Sequence, residues 1–346
     1  MSFLFSFTQK KPNPMPVSSL SDQWVEKTLS NLSFEEKVGQ TLMWHIDEEE
    51  LTSASAELLA KIPFGGVIIM GSHSGESLKK LTGQIHAIPA PVKRFIAIDQ
   101  EGGSVKRLID DPHPGARELS QISPEELCST YQQTTRQLLE SGINMNFGIV
   151  ADTGWFENGF ITPRTFGGAP DIVANFVGQA LTCSVDILNT VKHFPGHGRT
   201  QLDSHKTIPV IQTSYAEWKQ TDAIPFQRAI DTDVPVIMLG HLIYENMATV
   251  PASLSPYWTQ ELRNMGHKGL IITDDLGMLE KSGMEIDEII EKAIQAKTDI
   301  LLMVSLKEDP NVIWQKSMEL WRNDALRDIE LDTHVRRILM RKYEIQ

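Results

Sequence analysis

The chain has 346 residues, 41% hydrophobic and 22% charged, proportions of an ordinary water-soluble globular enzyme. No stretch approaches the roughly 20 uninterrupted apolar residues that span a bilayer, which argues against an integral membrane protein. With 32 basic and 45 acidic residues the net charge is −13, and no cluster of Lys and Arg offsets a field that repels nucleic acid and anionic membrane surfaces.

The N-terminal MSFLFSFTQKKPNPMP has a short apolar patch but neither a basic region before it nor a small-residue cleavage site after it. It lacks the order of a signal peptide, so residues 1–30 read as a lead-in and residues 31–346 as one α/β domain. Cys128 and Cys183 show no framework spacing and read as reduced core residues of a cytoplasmic protein.

Ser33-Phe34-Glu35-Glu36 is a capping box that opens a helix, and the apolar run Val38 to Ile46 then suggests the first strand. A helical pattern over Leu51 to Ile62 stops at Pro63, and Gly65 to Met70 reads as the second strand. After a helix around Ser77 to Ile88, the third strand, Arg94 to Asp99, ends on a carboxylate before Gln100-Glu101-Gly102-Gly103. An acid there can meet a ligand or form a turn. Ser123-Pro124-Glu125-Glu126 is a second capping box, opening a long helix that ends near Gly142.

Asn144 to Val150 follows as the fourth strand, with Asp152 at its end and a long polar loop, Thr153 to Gly168, behind it. Loops of this length in a compact domain are functional or disordered, and Arg164 lies in this one. A helix over Pro170 to Thr182 precedes a fifth strand, Val185 to Val191. Ser214 caps another helix, Val234 to Leu239 is a sixth strand ending at His241, which could line a pocket or pack, and Ser255-Pro256 starts the next helix. Gly269 to Thr273 runs into Asp274-Asp275, whose side chains should face opposite ways on a strand. Asp299 to Ser305 is the last strand, Asp309-Pro310 opens a helix, and a further helix closes the chain. About eight strands alternating with helices, without solenoid repeats, are the pattern of a single (β/α)8 TIM-type barrel.

The densest polar cluster is VKHFPGHGRTQLDSH, Val191 to His205, at the end of the fifth strand. His193 and His197 are four apart, but Pro195 and Gly196 between them break the helix that a zinc pair would need, so no metal is expected. A loop of locally bonded histidines would explain any one of these residues better than it explains Asp203-Ser204-His205 beside Lys192-His193.

This segment resembles the signature of family 3 glycoside hydrolases, in particular their β-N-acetylglucosaminidase branch. SFEEKVGQTLM, IDQEGG, PRTFG and TDDL follow the family's order along most of the chain. The resemblance implies that Asp274 is the catalytic nucleophile, with Thr273 in place of the family's serine. It also implies that Asp99, Lys192 and His193 hold sugar hydroxyls and that Arg107 and Arg164 face the substrate. Ser104 departs from the family, whose members commonly carry arginine there. Larger relatives take an acid/base glutamate from a second domain for which this chain has no room. His205 is then the best proton donor, with Asp203 orienting the ring and favouring its charged form.

Two groups must flank one glycosidic bond. The resemblance therefore implies a cofactor-free retaining enzyme releasing terminal β-linked N-acetylglucosamine from muropeptide fragments in a bacterial cytoplasm. The partner expected is a small carbohydrate, with neither nucleic acid nor membrane, and the oligomeric state stays open. The alternatives are a phosphorylase of the same branch and a barrel that only binds glycans.

Overall fold

In a computed structural model, the protein is described over residues 19–323 and 327–345. Eight parallel strands form one sheet: β1 (Leu42–Ile46), β2 (Gly66–Ile69), β3 (Phe95–Ile98), β4 (Met145–Val150), β5 (Leu188–Phe194), β6 (Val236–Leu239), β7 (Leu270–Thr273) and β8 (Leu301–Met303). Each pairs with its successor from β1 to β7, and β8 lies beside β1 with Leu301 opposite Leu42. A parallel bridge between Ile272 and Ile300 joins β7 to β8 and completes the ring. The expected (β/α)8 barrel is the architecture found.

Local chemistry sets most boundaries. The Ser33 and Ser123 hydroxyls each accept a hydrogen bond from the backbone N–H three residues on, while the Glu36 and Glu126 carboxylates accept one from the serine N–H. The helix Pro124–Glu140 then buries Leu127, Tyr131, Thr134 and Leu138 on one face. Each such leucine contributes about 1.5 to 3 kcal/mol. The strands are buried on both faces, as parallel strands enclosed by helices must be. Met43, Phe95, Met145, Phe147, Met238 and Ile272 fill the barrel interior. Ile338 of the C-terminal helix joins them, and the buried Lys342 donates to the Gly65 carbonyl.

The structure differs from expectation in four places. Val38 belongs to the helix Phe34–Gln40, and β1 begins only at Leu42. β5 lies later than the expected Val185 to Val191: Val185 is 73% exposed, and Lys192 and His193 are inside the strand. Part of the expected lead-in is a helix, Leu20–Asn31, that buries Val25 and Leu29 and sets Trp24 against Tyr343 of the C-terminal helix. The apolar start, residues 1–18, lies outside the described residues.

Cys128 and Cys183, expected as reduced core residues, are half-buried and form a disulfide with their Cα atoms 5.1 Å apart. It joins the helix Pro124–Glu140 to the helix Pro170–Cys183 on the outside of the barrel. Their separation of 55 residues carries no local signal, and only the winding of the barrel makes these helices neighbours.

Candidate active site

The C-terminal ends of the strands surround a cavity of about 540 Å³. Asp99, Arg107, Arg164, Lys192, His193, His205 and Asp274 all line it, and Ile68, Phe147, Met238 and Leu302 supply apolar wall. Asp203 does not line the cavity but touches it through His205.

One wall is a buried lattice of charges. Lys192 Nζ lies 2.7 Å from Asp99 Oδ1 and 2.6 Å from Glu101 Oε1. Arg164 binds Glu101 with two parallel bonds, Nε to Oε2 at 2.8 Å and Nη2 to Oε1 at 2.6 Å. Burial alone would raise the Glu101 carboxyl, but Lys192 and Arg164 outweigh it and hold the group at about 2. Burial likewise works against the Lys192 ammonium, and Asp99 and Glu101 reverse the effect. Arg107 is held through its backbone, its N–H donating to Gln100 Oε1, while its guanidinium reaches Asp99 at 4.0 Å. Ser104 lines the same cavity.

Lys192 and His193 are consecutive, and on a regular strand they would face opposite sides. The pairing of β5 with β6 shifts register between Val191 and Phe194, and its pairing with β4 shifts between Asn146 and Ile149. Such irregularities re-aim side chains, and here both residues reach the cavity. Asp152, fully buried at the end of β4, fixes the turn that follows. It accepts from His193 Nδ1 at 2.7 Å and from the His197 backbone N–H at 2.7 Å. Burial raises its carboxyl, and His193 and His197 more than compensate. Arg164 Nη2 lies 3.4 Å from His193 Nε2 and can only donate, so Nε2 is the accepting nitrogen and Nδ1–H points to Asp152.

Opposite lies Asp274, one residue beyond β7. Its Oδ1 accepts the Asp275 N–H at 2.8 Å. Burial opposes its ionisation, but His241, His193, that N–H and Lys192 prevail and hold the carboxyl at about 2. Asp275, which also borders the cavity, turns its carboxylate toward the loop after β8. It accepts from the backbone N–H groups of Gly277, Val304 and Ser305 and from the Ser305 hydroxyl, bracing β8 against β7.

His205 sits on the loop after β5, with its side chain 58% exposed. Its Nδ1 is 2.9 Å from Asp203 Oδ1, which also accepts the His205 backbone N–H at 3.0 Å. Slight burial would raise the Asp203 carboxyl, but these bonds and Lys206 lower it. The remaining ring nitrogen, Nε2, is free to serve the cavity. Phe160 stands edge-on to His205 with ring centres 5.6 Å apart.

The sequence assigns no site role to Glu101 or Asp152 and leaves His241 between lining the pocket and packing. Glu101 stands near Asp99 in QEGG and Asp152 follows a strand, so position marks both, yet nothing local distinguishes a buried anion from a turn acid. His241 proves to be braced beneath Asp275, one ring nitrogen 2.7 Å from the Asp275 carbonyl and the other 2.7 Å from Ser253 Oγ. Among the described residues no group of three or more His, Cys, Asp or Glu is disposed to hold a metal ion. Nor, among them, is any helix long and apolar enough to cross a membrane.

Comparison with known proteins agrees with this arrangement. A β-hexosaminidase of Nitrosomonas eutropha is 33% identical over 278 residues, 76% of this chain and 80% of that one. A family 3 β-N-acetylglucosaminidase from a Paenibacillus species superposes with a TM-score of 0.81 at 25% identity, covering 91% of this chain and 64% of the other. A β-N-acetylhexosaminidase from Beutenbergia cavernae superposes with a TM-score of 0.82 over 90% of this chain and 99% of its own, and at 24% identity that likeness speaks for the fold alone. The profile of the glycosyl hydrolase family 3 N-terminal domain matches residues 33–340. The chain therefore belongs to glycosyl hydrolase family 3 and is a glycoside hydrolase.

Proposed function

We propose that the protein is a retaining exo-β-N-acetylglucosaminidase acting on terminal β-linked N-acetylglucosamine. The observation that carries the reading is that Asp274 and His205, far apart in sequence, line one cavity. The relatives named β-hexosaminidase and β-N-acetylglucosaminidase support the choice of sugar.

In the first step the ionised Asp274 attacks the anomeric carbon while His205 Nε2–H protonates the departing glycosidic oxygen. The C–O bond breaks and a glycosyl ester forms on Asp274. Water then attacks the anomeric carbon, His205 takes the water's proton, and the bond from that carbon to Asp274 breaks so that Asp274 leaves as carboxylate. Asp203 holds the ring by Nδ1, which leaves Nε2 to face the leaving oxygen. Asp99, Lys192, His193, Arg107 and Arg164 bind and orient the sugar ring. Their geometry is set before substrate arrives, which is where positioning saves most of its entropy.

The natural substrate on this reading is a muropeptide fragment of peptidoglycan, as in cell-wall recycling. Reduced cysteines would favour the cytoplasm for that work. With Cys128 and Cys183 paired that ground falls away, and a disulfide suits an oxidising compartment better.

Aryl β-glycosides differing at the sugar 2-position test the reading, with the anomer of the first product followed by NMR in phosphate buffer. The 2-acetamido substrate should be the fastest and release free β-sugar. An imidazole donor does not repel phosphate, so sugar 1-phosphate as the main product would instead mean phosphorolysis. A first-formed α-anomer of the free sugar would overturn the retaining mechanism, and no turnover on any substrate would leave a glycan-binding barrel.

A further inference from the structure

The loop that carries His205 leaves the barrel through Gly198 and Arg199, and the long loop after β4 leaves beside it at Thr153. The two backbones touch: a Cβ on Gly198 would lie 1.4 Å from the Thr153 carbonyl oxygen, a space open only to glycine. Both loops are then fastened to one buried carboxylate, Asp222, which is 1% exposed. Its Oδ1 accepts from Thr153 Oγ1 and from Trp155 Nε1, each at 2.8 Å. Its Oδ2 accepts from Arg199 Nε and from Thr221 Oγ1. The rest of the Arg199 guanidinium donates to Glu217 Oε1 at 2.7 Å and Thr221 Oγ1 at 2.8 Å, and it stacks 4.7 Å from the Trp155 ring centre.

Every donor on the Arg199 fork that has a partner is thus spent on the base of the two loops, and none on the cavity, which Arg199 does not line. Between Arg199 and the short parallel strand pair that re-anchors the loop, Val210–Ile211 against Ile243–Tyr244, the stretch around His205 holds to the body more lightly. Ser204 Oγ meets His197 Nε2 at 3.0 Å, Phe160 leans on His205, and the Asp203–Lys206 pair is internal. On the side nearer the barrel, the direction in which His205 leaves is accordingly fixed at Arg199.

We propose that Arg199 is a positioning residue for proton transfer: by clamping the root of its loop to Asp222 and Trp155 it delivers His205 Nε2 to the leaving-group oxygen. The inference rests on the acid/base role assigned to His205. It predicts a defect that depends on the leaving group, since an activated aryl oxide departs without a proton while an alkoxide does not.

The test compares Arg199→Ala, His205→Ala and the double variant on 2,4-dinitrophenyl and methyl N-acetyl-β-glucosaminides. Asp222 keeps three donors without Arg199, so the chain should fold, and a thermal melt checks it. Arg199→Ala should lose about ten- to a hundredfold in kcat/KM on the methyl glycoside and less than about threefold on the dinitrophenyl one, because a small misplacement of a reacting group costs about that much. In the His205→Ala background the Arg199 change should add almost nothing. Equal losses on both substrates, no loss, or full additivity with His205→Ala would overturn the proposal. Should the alanine variant unfold, Arg199→Lys, which keeps the charge but not the fork, should show the same selectivity at smaller size, and equal losses there would overturn it too. If His205→Ala itself shows no dependence on leaving group, the acid/base assignment fails; if it does and Arg199→Ala does not, only this inference fails.

Discussion

The two candidate reacting groups stand in opposite kinds of surroundings. Asp274 is half-buried at a strand end with its carboxyl held at about 2, across from ion pairs in which Lys192 and Glu101 are almost wholly enclosed. His205 is more than half exposed, on a loop whose firm attachments lie several residues to either side of it. The difference matches two chemical duties. A nucleophile must be ionised and fixed before substrate binds, whereas a proton donor that later becomes a base must exchange with water and can be brought into line by closure.

The comparison can first be broken at the reacting groups themselves. Asp274→Ala should lower kcat by about four orders of magnitude or more on every glycoside, because no leaving group relieves the need for a nucleophile. His205→Ala should lose about a hundred- to ten-thousandfold on alkyl glycosides and far less on activated aryl ones. Steady-state kinetics on the two substrate types checks both, and near-normal turnover by Asp274→Ala would remove the nucleophile from the scheme.

The rigid half can be tested next through Glu101. Glu101→Gln leaves Arg164 with a neutral partner and Lys192 with Asp99 alone, so urea unfolding at neutral pH should show a loss of about 3 kcal/mol. The folded carboxyl is depressed from its ordinary 4.5 to about 2, so its contribution is complete above about 4.5 and disappears as pH falls through about 2. The gap between wild type and variant should therefore narrow across that window. A gap that stays constant down to pH 2 would show that the carboxylate is not the stabilising charge.

The smallest expected effect lies on the outer ring of helices. Cys128→Ala with Cys183→Ala, or reductant on the wild type, should lower stability by about 2 to 4 kcal/mol, since the bond closes a loop of 55 residues in the unfolded chain. Turnover at low temperature should stay the same, because neither sulfur touches the cavity. A fall in kcat without loss of folded protein would mean that the two helices hold the Arg164 loop in place, and the contrast between rigid wall and adjustable loop would need redrawing.

The sequence by itself determined the alternation of strands and helices, the capped helix starts at Ser33, Ser123 and Ser214, and the placing of Asp99 and Asp274 at strand ends. These depend on periodicity and on contacts between residues three or four apart, which a linear reading can see. Tertiary structure alone decided that β5 shifts register so that Lys192 and His193 share the cavity. It also decided that Glu101 and Asp152 are buried anions with cationic or histidine partners, and that two distant cysteines meet. Each of these depends on which segments the closed ring sets side by side, and on how far burial is offset by a charge from another strand, neither of which is written in neighbouring residues.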